Sequence, residues 1–159
     1  MSAEMPLEPA DVSDQFWGVI QRANKDPDLF RSILDELSGD ELYRFALEFM
    51  YASDALQQEP YTDHIYPDKD VSEDAIADMS YWVVSQGKGF YLTVWNHPEI
   101  LATYGSPGTP ETLGFEFAAE GILARRQGEW PAVLDGYADF ARSGYNRVGD
   151  YWEAQHERR

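Results

Sequence analysis

Residues 72–91 read SEDAIADMSYWVVSQGKGFY and hold the densest helical pattern in the chain. Their apolar side chains recur at alternating spacings of three and four, which is the pattern of a helix with one buried face. The predicted face consists of Ala75, Ile76, Met79, Trp82, Val83 and Gln86. We therefore expect this helix to be the element around which the rest of the fold is organised.

The ends of this helix are also marked in the sequence. Ser72 is a good N-cap, and Glu73 and Asp74 place negative charge in the first turn, where the helix dipole favours it. Gly87 is expected to end the helix as a C-cap residue. A second apolar cluster follows, consisting of Phe90, Tyr91, Leu92, Val94 and Trp95.

Three further helices are predicted upstream. Ser13 or Asp14 caps the first, and Asp26 followed by a proline opens the second, because proline suits the first helical position. The third begins at the capping box SGDE, residues 38–41, and extends to about Gln57. Their apolar stripes contain Phe16, Trp17, Val19, Ile20 and Ala23, then Leu29, Phe30, Ile33, Leu34 and Leu37, then Leu42, Phe45, Ala46, Phe49, Met50 and Ser53.

Helices are predicted downstream as well, beyond the irregular loop at residues 59–71. NHPEILATYG, residues 96–105, reads as a short helix, and Thr109 with Pro110 opens a longer one. The apolar face of the longer helix contains Leu113, Phe117, Ala118, Gly121 and Ile122. Residues 128–131 break the pattern before the last helices, whose apolar residues are Val133, Leu134, Tyr137, Ala138, Phe140, Val148, Tyr151 and Trp152.

The chain is predicted to be all-α, because it shows no alternating apolar pattern of the kind that strands need. Its 159 residues suit one domain, which would bury roughly 70% of the surface of the unfolded chain. We expect a multi-helix bundle of about six to eight helices without a substantial sheet. Residues 1–12 are expected to form a flexible acidic lead-in, and residues 13–159 the domain, with C-terminal helices at 129–159.

Acidic residues dominate the charge: 29 Asp and Glu stand against 12 Lys and Arg, for a net charge of −17. The excess is uneven. Residues 1–80 contain 19 acidic and 5 basic residues, whereas residues 81–159 contain 10 acidic and 7 basic residues. Such a field attracts basic proteins and repels nucleic acids and anionic membranes, so we expect neither of the latter as a partner. The alternative that the acidity only maintains solubility stays open.

The sequence favours a cytoplasmic protein. It contains no cysteine, no apolar run long enough to span a membrane, and an N-terminus, MSAEMPLEPADVSDQ, without the features of a signal peptide. The histidines His64, His97 and His156 lack zinc-binding spacing, and residues 68–74 lack the glycine and the closing glutamate of a calcium loop. We therefore expect no metal and no cofactor.

Several motifs together resemble the bacterial family called domain of unknown function 4240 (DUF4240). They are DQFWGVIQRA at 14–23, LSGDELYRFALEF at 37–49, SEDAIADMSYWVVSQGKGFY at 72–91 and HPEIL at 97–101. The resemblance covers about residues 14–128 and implies a helical fold, without an assigned activity. Lys88 stands where the family has Arg, Ser80 where a second Arg is expected, and Met79 where an aromatic is expected. If that second Arg serves a family function, this chain has lost or altered it.

No catalytic constellation can be recognised. Carboxylates are too numerous for an acid–base pair to be identified by counting, and no serine-nucleophile or phosphate-loop motif is present. Glu116 and Glu120 lie one helical turn apart, and we expect both on a solvated face; an inward-facing one would be an unusual buried acid. The sequence leans away from an enzyme without deciding the matter.

The leading hypothesis is a non-enzymatic protein that binds a basic protein, such as an immunity or inhibitor protein that neutralises a cationic toxin or nuclease. It follows from the uneven charge and from tyrosines interleaved with acids, a composition that suits interface anchors. The expected partner-binding residues are Tyr61, Asp63, His64, Tyr66, Asp68, Asp70 and Asp74.

The alternative is a small-molecule-binding accessory protein, or an enzyme of a specialised bacterial pathway. Its pocket would lie between the central helix and the segment that follows. The expected lining is Trp82, Gln86, Lys88, Tyr91 and Trp95. A fully packed core around Trp82 would count against this hypothesis, since packing is the usual role of a helical tryptophan. The sequence leaves the oligomeric state open.

Overall fold

The computed structural model describes residues 12–64, 73–104, 115–145 and 147–156. These residues form α-helices and short 3-10 helices, and no strand occurs among them, which confirms the all-α prediction. The α-helices are α1 Asp14–Ala23, α2 Pro27–Asp35, α3 Gly39–Asp54, α4 Glu73–Ser85, α5 Lys88–Asn96, α6 Leu101–Tyr104, α7 Ala118–Gln127, α8 Val133–Ser143 and α9 Val148–His156. The 3-10 helices are Tyr61–His64, Pro98–Ile100 and Phe115–Phe117.

The N-caps predicted for the first three helices are present. The Ser13 hydroxyl accepts a hydrogen bond from the Phe16 N–H at 3.1 Å. The Asp26 carboxylate accepts from two backbone N–H groups in the first turn of α2. Ser38 and Glu41 form the capping box, in which each side chain accepts from the backbone N–H of the other, at 3.1 and 3.0 Å. Local hydrogen bonds therefore define where α1, α2 and α3 begin.

Helix α3 is the element around which the fold packs. It contacts α4, α7, α8 and α9, whereas α4 packs mainly against α3 and α5. The expectation that residues 72–91 organise the fold is therefore wrong. Apolar side chains around most of the circumference of α3 are buried, namely Leu42, Phe45, Ala46, Leu47, Phe49 and Ala52. The helix ends at Asp54, slightly before the predicted end near Gln57.

The buried face of α4 is rotated from the predicted one and includes Ser80 and Val84. Met79 and Val83 are buried as predicted. The Ser80 hydroxyl donates to the Ala77 carbonyl at 2.6 Å and accepts from the Gln57 amide at 3.0 Å, so its polar group is satisfied inside the fold. The remaining residues of the predicted face are only partly buried: Ala75, Ile76, Trp82 and Gln86.

A second helix follows α4 where the sequence predicted only an apolar cluster. Gly87 separates the two helices and has φ 108°, in the left-handed region that favours glycine. Helix α5 buries Tyr91, Val94 and Trp95, whose spacings of three and one place them on one helical face. Ser72, the predicted cap of α4, lies outside the described residues.

The entry to α7 differs from the prediction. Phe115 is 1% exposed and stacks on Phe30 with ring centroids 3.8 Å apart, whereas Phe117 is 55% exposed. The predicted face included Phe117, but this residue has φ −118° and ψ 4° at the start of α7, so the helical periodicity does not extend through it. Thr109 and Pro110, the predicted start, lie outside the described residues.

Helices α8 and α9 occur where they are predicted. Gly128 and Gly144 end α7 and α8 in the left-handed conformation typical of C-caps. Val12, assigned to the flexible lead-in, is buried in the core instead. Within the described ranges, no helix combines the length and the apolar composition that crossing a membrane requires.

Candidate functional site

A cleft of about 510 Å³ opens between α1 and the junction of α4 with α5. We call it the α1–α5 cleft. Trp17 supplies an aromatic wall, and the ring of Trp17 lies 5.3 Å from that of the buried Tyr91 beneath it. Most of the other lining side chains are polar: Asp14, Gln21, Asn24, Lys25, Gln86 and Lys88. The cleft therefore offers both charged and amide groups to a polar ligand.

Left-handed backbone on both sides shapes the α1–α5 cleft. The C-cap residue after α1 is Asn24 with φ 47°, and Lys25 follows with φ 63°. The Asn24 N–H donates to the Gln21 carbonyl at 3.1 Å, which closes the last turn. On the other side, Gly87 allows the chain to turn sharply from α4 into α5. As a result Lys25 and Lys88 line one cleft from different elements.

Two of the five predicted ligand-binding residues line this cleft, namely Gln86 and Lys88. Tyr91 and Trp95 are core residues, and the Tyr91 hydroxyl donates to the Ala52 carbonyl at 2.9 Å. Trp82 is half-buried and packs edge-to-face on Phe90, with ring centroids 5.3 Å apart. The aromatic wall comes from Trp17 of α1, which the prediction omitted because α1 is distant in the sequence.

The predicted partner-binding residues are only partly described. Tyr61 is 1% exposed and donates to the Trp95 carbonyl at 3.1 Å, and burial raises its pKa to about 12. A partner would not reach Tyr61 in this fold. His64 is half-buried in the first 3-10 helix, and Asp74 is exposed in α4. The remaining four are Asp63, Tyr66, Asp68 and Asp70. The side chain of Asp63 and the whole of the other three residues lie outside the described part of the chain.

A second cleft, of about 530 Å³, lies between α3, α8 and α9. We call it the α3–α9 cleft. Its aromatic lining is Tyr43, Tyr151 and Trp152, and its carboxylates are Asp40 and Asp139. Among the described residues that line it, none is a lysine or an arginine, and His156 is the basic side chain present. The sequence analysis did not anticipate this cleft, because it forms only when α9 returns to the start of α3.

Tyr43 is fixed at the centre of the α3–α9 cleft. Its hydroxyl donates to the Ala132 carbonyl at 3.1 Å. Gly136 of α8 makes room for this hydroxyl, since a Cβ at that position would overlap it. Burial raises the pKa of Tyr43, and the negative charge of Asp139 raises it further. The negative charge of the cleft therefore favours the neutral form of the Tyr43 hydroxyl.

Among the described residues two glutamates are buried, and the sequence analysis expected neither to be. Glu120 is 7% exposed and accepts from the Trp130 indole N–H at 3.2 Å, so the expectation of a solvated Glu120 is wrong. Burial raises the pKa of Glu120 above its ordinary value, although the indole hydrogen bond opposes this effect. Glu48 is 1% exposed and pairs with Arg44 of the same helix at 3.1 Å. Glu48 also accepts from Ser13 at 2.9 Å, which joins α1 to α3.

The histidines are placed separately. His97 is exposed and lies 3.4 Å from the Glu99 carboxylate. His156 packs on the Trp152 ring with centroids 4.2 Å apart. In the part of the chain that the structure describes, no group of three or more His, Asp and Glu side chains is placed to hold a metal ion.

Comparison with known families agrees with the helical motifs. The chain belongs to the family described as protein of unknown function (DUF4240), whose model matches residues 12–125. No curated protein and no solved structure matches the chain. The matched region contains every element of the α1–α5 cleft, whereas α8 and α9, which complete the α3–α9 cleft, follow it.

Proposed function

We propose that this DUF4240 protein is a non-enzymatic binding protein for a basic protein, such as a cationic toxin or nuclease that it neutralises as an immunity or inhibitor protein. The observation that carries the proposal is the net charge of −17. A field of this sign attracts cationic proteins and speeds their association. We propose the cytoplasm as the compartment, because a chain without cysteine suits a reducing environment.

The exposed carboxylates of α2 and α3 support this proposal. Asp28, Asp35, Glu36 and Asp40 are exposed, and none of them forms an ion pair with another described residue. The neighbouring Arg126 guanidinium donates instead to two backbone carbonyl groups in and after α2, both at 2.8 Å. Arg126 offsets part of the charge, but its guanidinium pairs with none of these carboxylates, so the surface stays net negative and a basic partner would compensate it. We propose that the acids of residues 59–74 extend it.

The test begins with a pull-down from the native host at low salt, with elution by a salt gradient and identification by mass spectrometry. We expect a stoichiometric basic protein. Its affinity, measured by titration calorimetry with both purified proteins, should fall about tenfold or more between about 50 and 200 mM salt, because salt screens exposed charges. An affinity that is insensitive to salt would refute the proposal.

Charge reversal locates the surface. Changing Asp68 and Asp70 to lysine should weaken the complex more than changing Asp14 and Glu99 to lysine. The second pair alters the net charge equally, is exposed, and lies outside both residues 59–74 and the lining of the α3–α9 cleft. The larger loss is expected because the first set removes contacts as well as long-range attraction. Equal losses would remove residues 59–74 from the contact surface.

A second candidate function is the binding of a small polar molecule in the α1–α5 cleft, which Gln86 and Lys88 line as the sequence predicts. A thermal-shift screen of metabolites should then yield a ligand that raises the melting temperature. Lys88→Ala should abolish the shift, whereas Gln58→Ala should preserve it, because Gln58 is exposed outside the cleft. A shift that survives Lys88→Ala and Gln86→Ala would place the ligand elsewhere.

A further inference from the structure

The α3–α9 cleft combines aromatic walls with carboxylates, and we propose that it binds the guanidinium group of an arginine side chain of the basic partner. The identity of the occupant rests on the proposed function, whereas the preference for a guanidinium follows from the cleft itself. A cation is attracted to the face of a Trp or Tyr ring within about 6 Å of its centroid. Arginine also stacks on rings and pairs with carboxylates in a planar fork, which lysine does not.

The aromatic walls are held in place. The rings of Tyr43 and Trp152 have centroids 5.8 Å apart and are inclined by 33°. The hydrogen bond to Ala132 holds Tyr43 at the N-cap of α8, and His156 packs on Trp152 from the same helix, α9. The rings of Tyr43 and Trp152 are therefore already ordered, and a cation would stack on the ring surface that their mutual contact and His156 leave uncovered.

One of the two carboxylates of the cleft is already paired with a guanidinium group. Asp139 already accepts from Arg142 at 2.6 Å. The side chains of this pair are 61% and 72% exposed, and such surface pairs contribute little to stability. An arginine of the partner that also stacks on Trp152 would therefore displace Arg142 from Asp139. Asp40 of α3, which also lines the cleft, adds a second negative charge.

The surroundings of the cleft favour a protein over a free small cation. Trp130 and Leu134 are 59% and 70% exposed. Both are close in sequence to Pro131 and Ala132, which line the cleft. Tryptophan is enriched among the anchors of protein interfaces, so the exposed Trp130 suits a protein partner. The net charge of −17 provides the complementarity that a basic protein needs.

The cleft is also a property of this chain beyond its family core. The family match ends at residue 125, and Trp152, Tyr151 and Asp139 all follow it. The arginine site therefore depends on helices α8 and α9, which the family model does not cover.

The site can be tested with the full chain by NMR. The protein has five tryptophans, so its indole N–H signals are few enough to follow individually, with Trp152 assigned from the Trp152→Phe spectrum. N-acetyl-arginine-methylamide should shift the Trp152 signal saturably. The neutral isostere N-acetyl-citrulline-methylamide should leave it unchanged. Equal shifts with both compounds, or none with either, would overturn the inference.

Variants separate the cleft from general electrostatics. Asp139→Asn should weaken binding of the arginine compound at least threefold, whereas Asp150→Asn removes the same charge outside the cleft lining and should have little effect. Arg142→Gln should strengthen binding, because it removes the internal competitor of Asp139. Equal effects of Asp139→Asn and Asp150→Asn would show that only the net charge matters, and would overturn the inference.

The same variants distinguish this inference from the proposed function. If a basic partner binds with the expected salt dependence but Trp152→Leu and Asp139→Asn bind it as tightly as the unaltered chain, the cleft inference fails and the proposed function stands. If the arginine compound binds in the cleft but no basic partner is found, the guanidinium site stands and the proposed function fails. A Trp152 signal that shifts with protein concentration alone would assign the cleft to a second copy of the chain, and so overturn the inference.

Discussion

Phe115→Ala is expected to lower the free energy of unfolding by about 3–5 kcal/mol, and Phe117→Ala by less than about 1 kcal/mol. The two residues belong to the same 3-10 helix, but Phe115 is 1% exposed and Phe117 is 55% exposed. Phe115 stacks on Phe30 of α2 with interplanar angle 12°. Removing its ring leaves a cavity between α2 and the entry to α7, whereas Phe117 loses only its partial contact with Tyr81.

Urea denaturation of both variants measures these losses. A domain of this kind has a total stability of only about 5–15 kcal/mol, so Phe115→Leu provides a milder second variant with an expected loss of about 1–1.5 kcal/mol. The slope of free energy against urea should stay unchanged, which shows that the difference lies in stability and not in the extent of unfolding. Equal losses at positions 115 and 117 would contradict the assignment of Phe115 to the core.

This pair also shows what sequence patterns can resolve. The caps at Ser13, Asp26 and Ser38 are predictable because each bonds to backbone within three residues. Which of Phe115 and Phe117 is buried cannot be predicted in this way, because it depends on where a 3-10 turn becomes an α-helix. A shift of that boundary rotates the apolar face, and no local hydrogen-bonding residue marks it.

The candidate sites were predictable only in part for a related reason. Gln86 and Lys88 line a cleft because they flank the glycine turn between α4 and α5, which the local sequence marks. Tyr61, Tyr91 and Trp95 are residue types that serve equally as core and as binding anchors. Tyr61 and Tyr91 are assigned to the core by hydrogen bonds to carbonyl groups more than thirty residues away, which no local pattern shows. The α3–α9 cleft depends on a contact between Tyr43 and Trp152, more than a hundred residues apart.

The buried pair Arg44–Glu48 leads to the second large expected effect. Arg44→Ala should lower stability at pH 7 by about 2–3 kcal/mol, near the lower end for a broken buried ion pair, because the Arg44 side chain is 26% exposed. The Glu48 carboxylate is 2% exposed and would then keep only the hydrogen bond from Ser13. The loss is dominated by the cost of leaving that charge buried.

The loss should depend on pH in a defined direction. Burial raises the pKa of Glu48 above its ordinary 4.5, and the positive charge of Arg44 opposes this rise. Without Arg44 the pKa of Glu48 in the folded state rises further. A carboxyl group whose folded pKa is raised favours folding below its unfolded pKa, and this contribution is lost as the pH rises through the folded pKa. The cost of Arg44→Ala should therefore be small near pH 4 and reach its full value above the folded pKa of Glu48.

Denaturant titrations between about pH 4 and 8 measure this dependence. The cost of Arg44→Ala changes over the pH range from the ordinary pKa of glutamate to the raised pKa of Glu48. Adding Glu48→Gln to Arg44→Ala should recover stability at pH 7 and remove the added pH dependence, because an amide carries no charge to bury. Arg142→Ala is the matched control, since its pair with Asp139 is exposed on both sides and should contribute little at any pH. If Arg44→Ala costs the same at every pH, the Glu48 charge is not what the substitution leaves uncompensated, and packing of Arg44 against Gly149 of α9 becomes the cause of the loss.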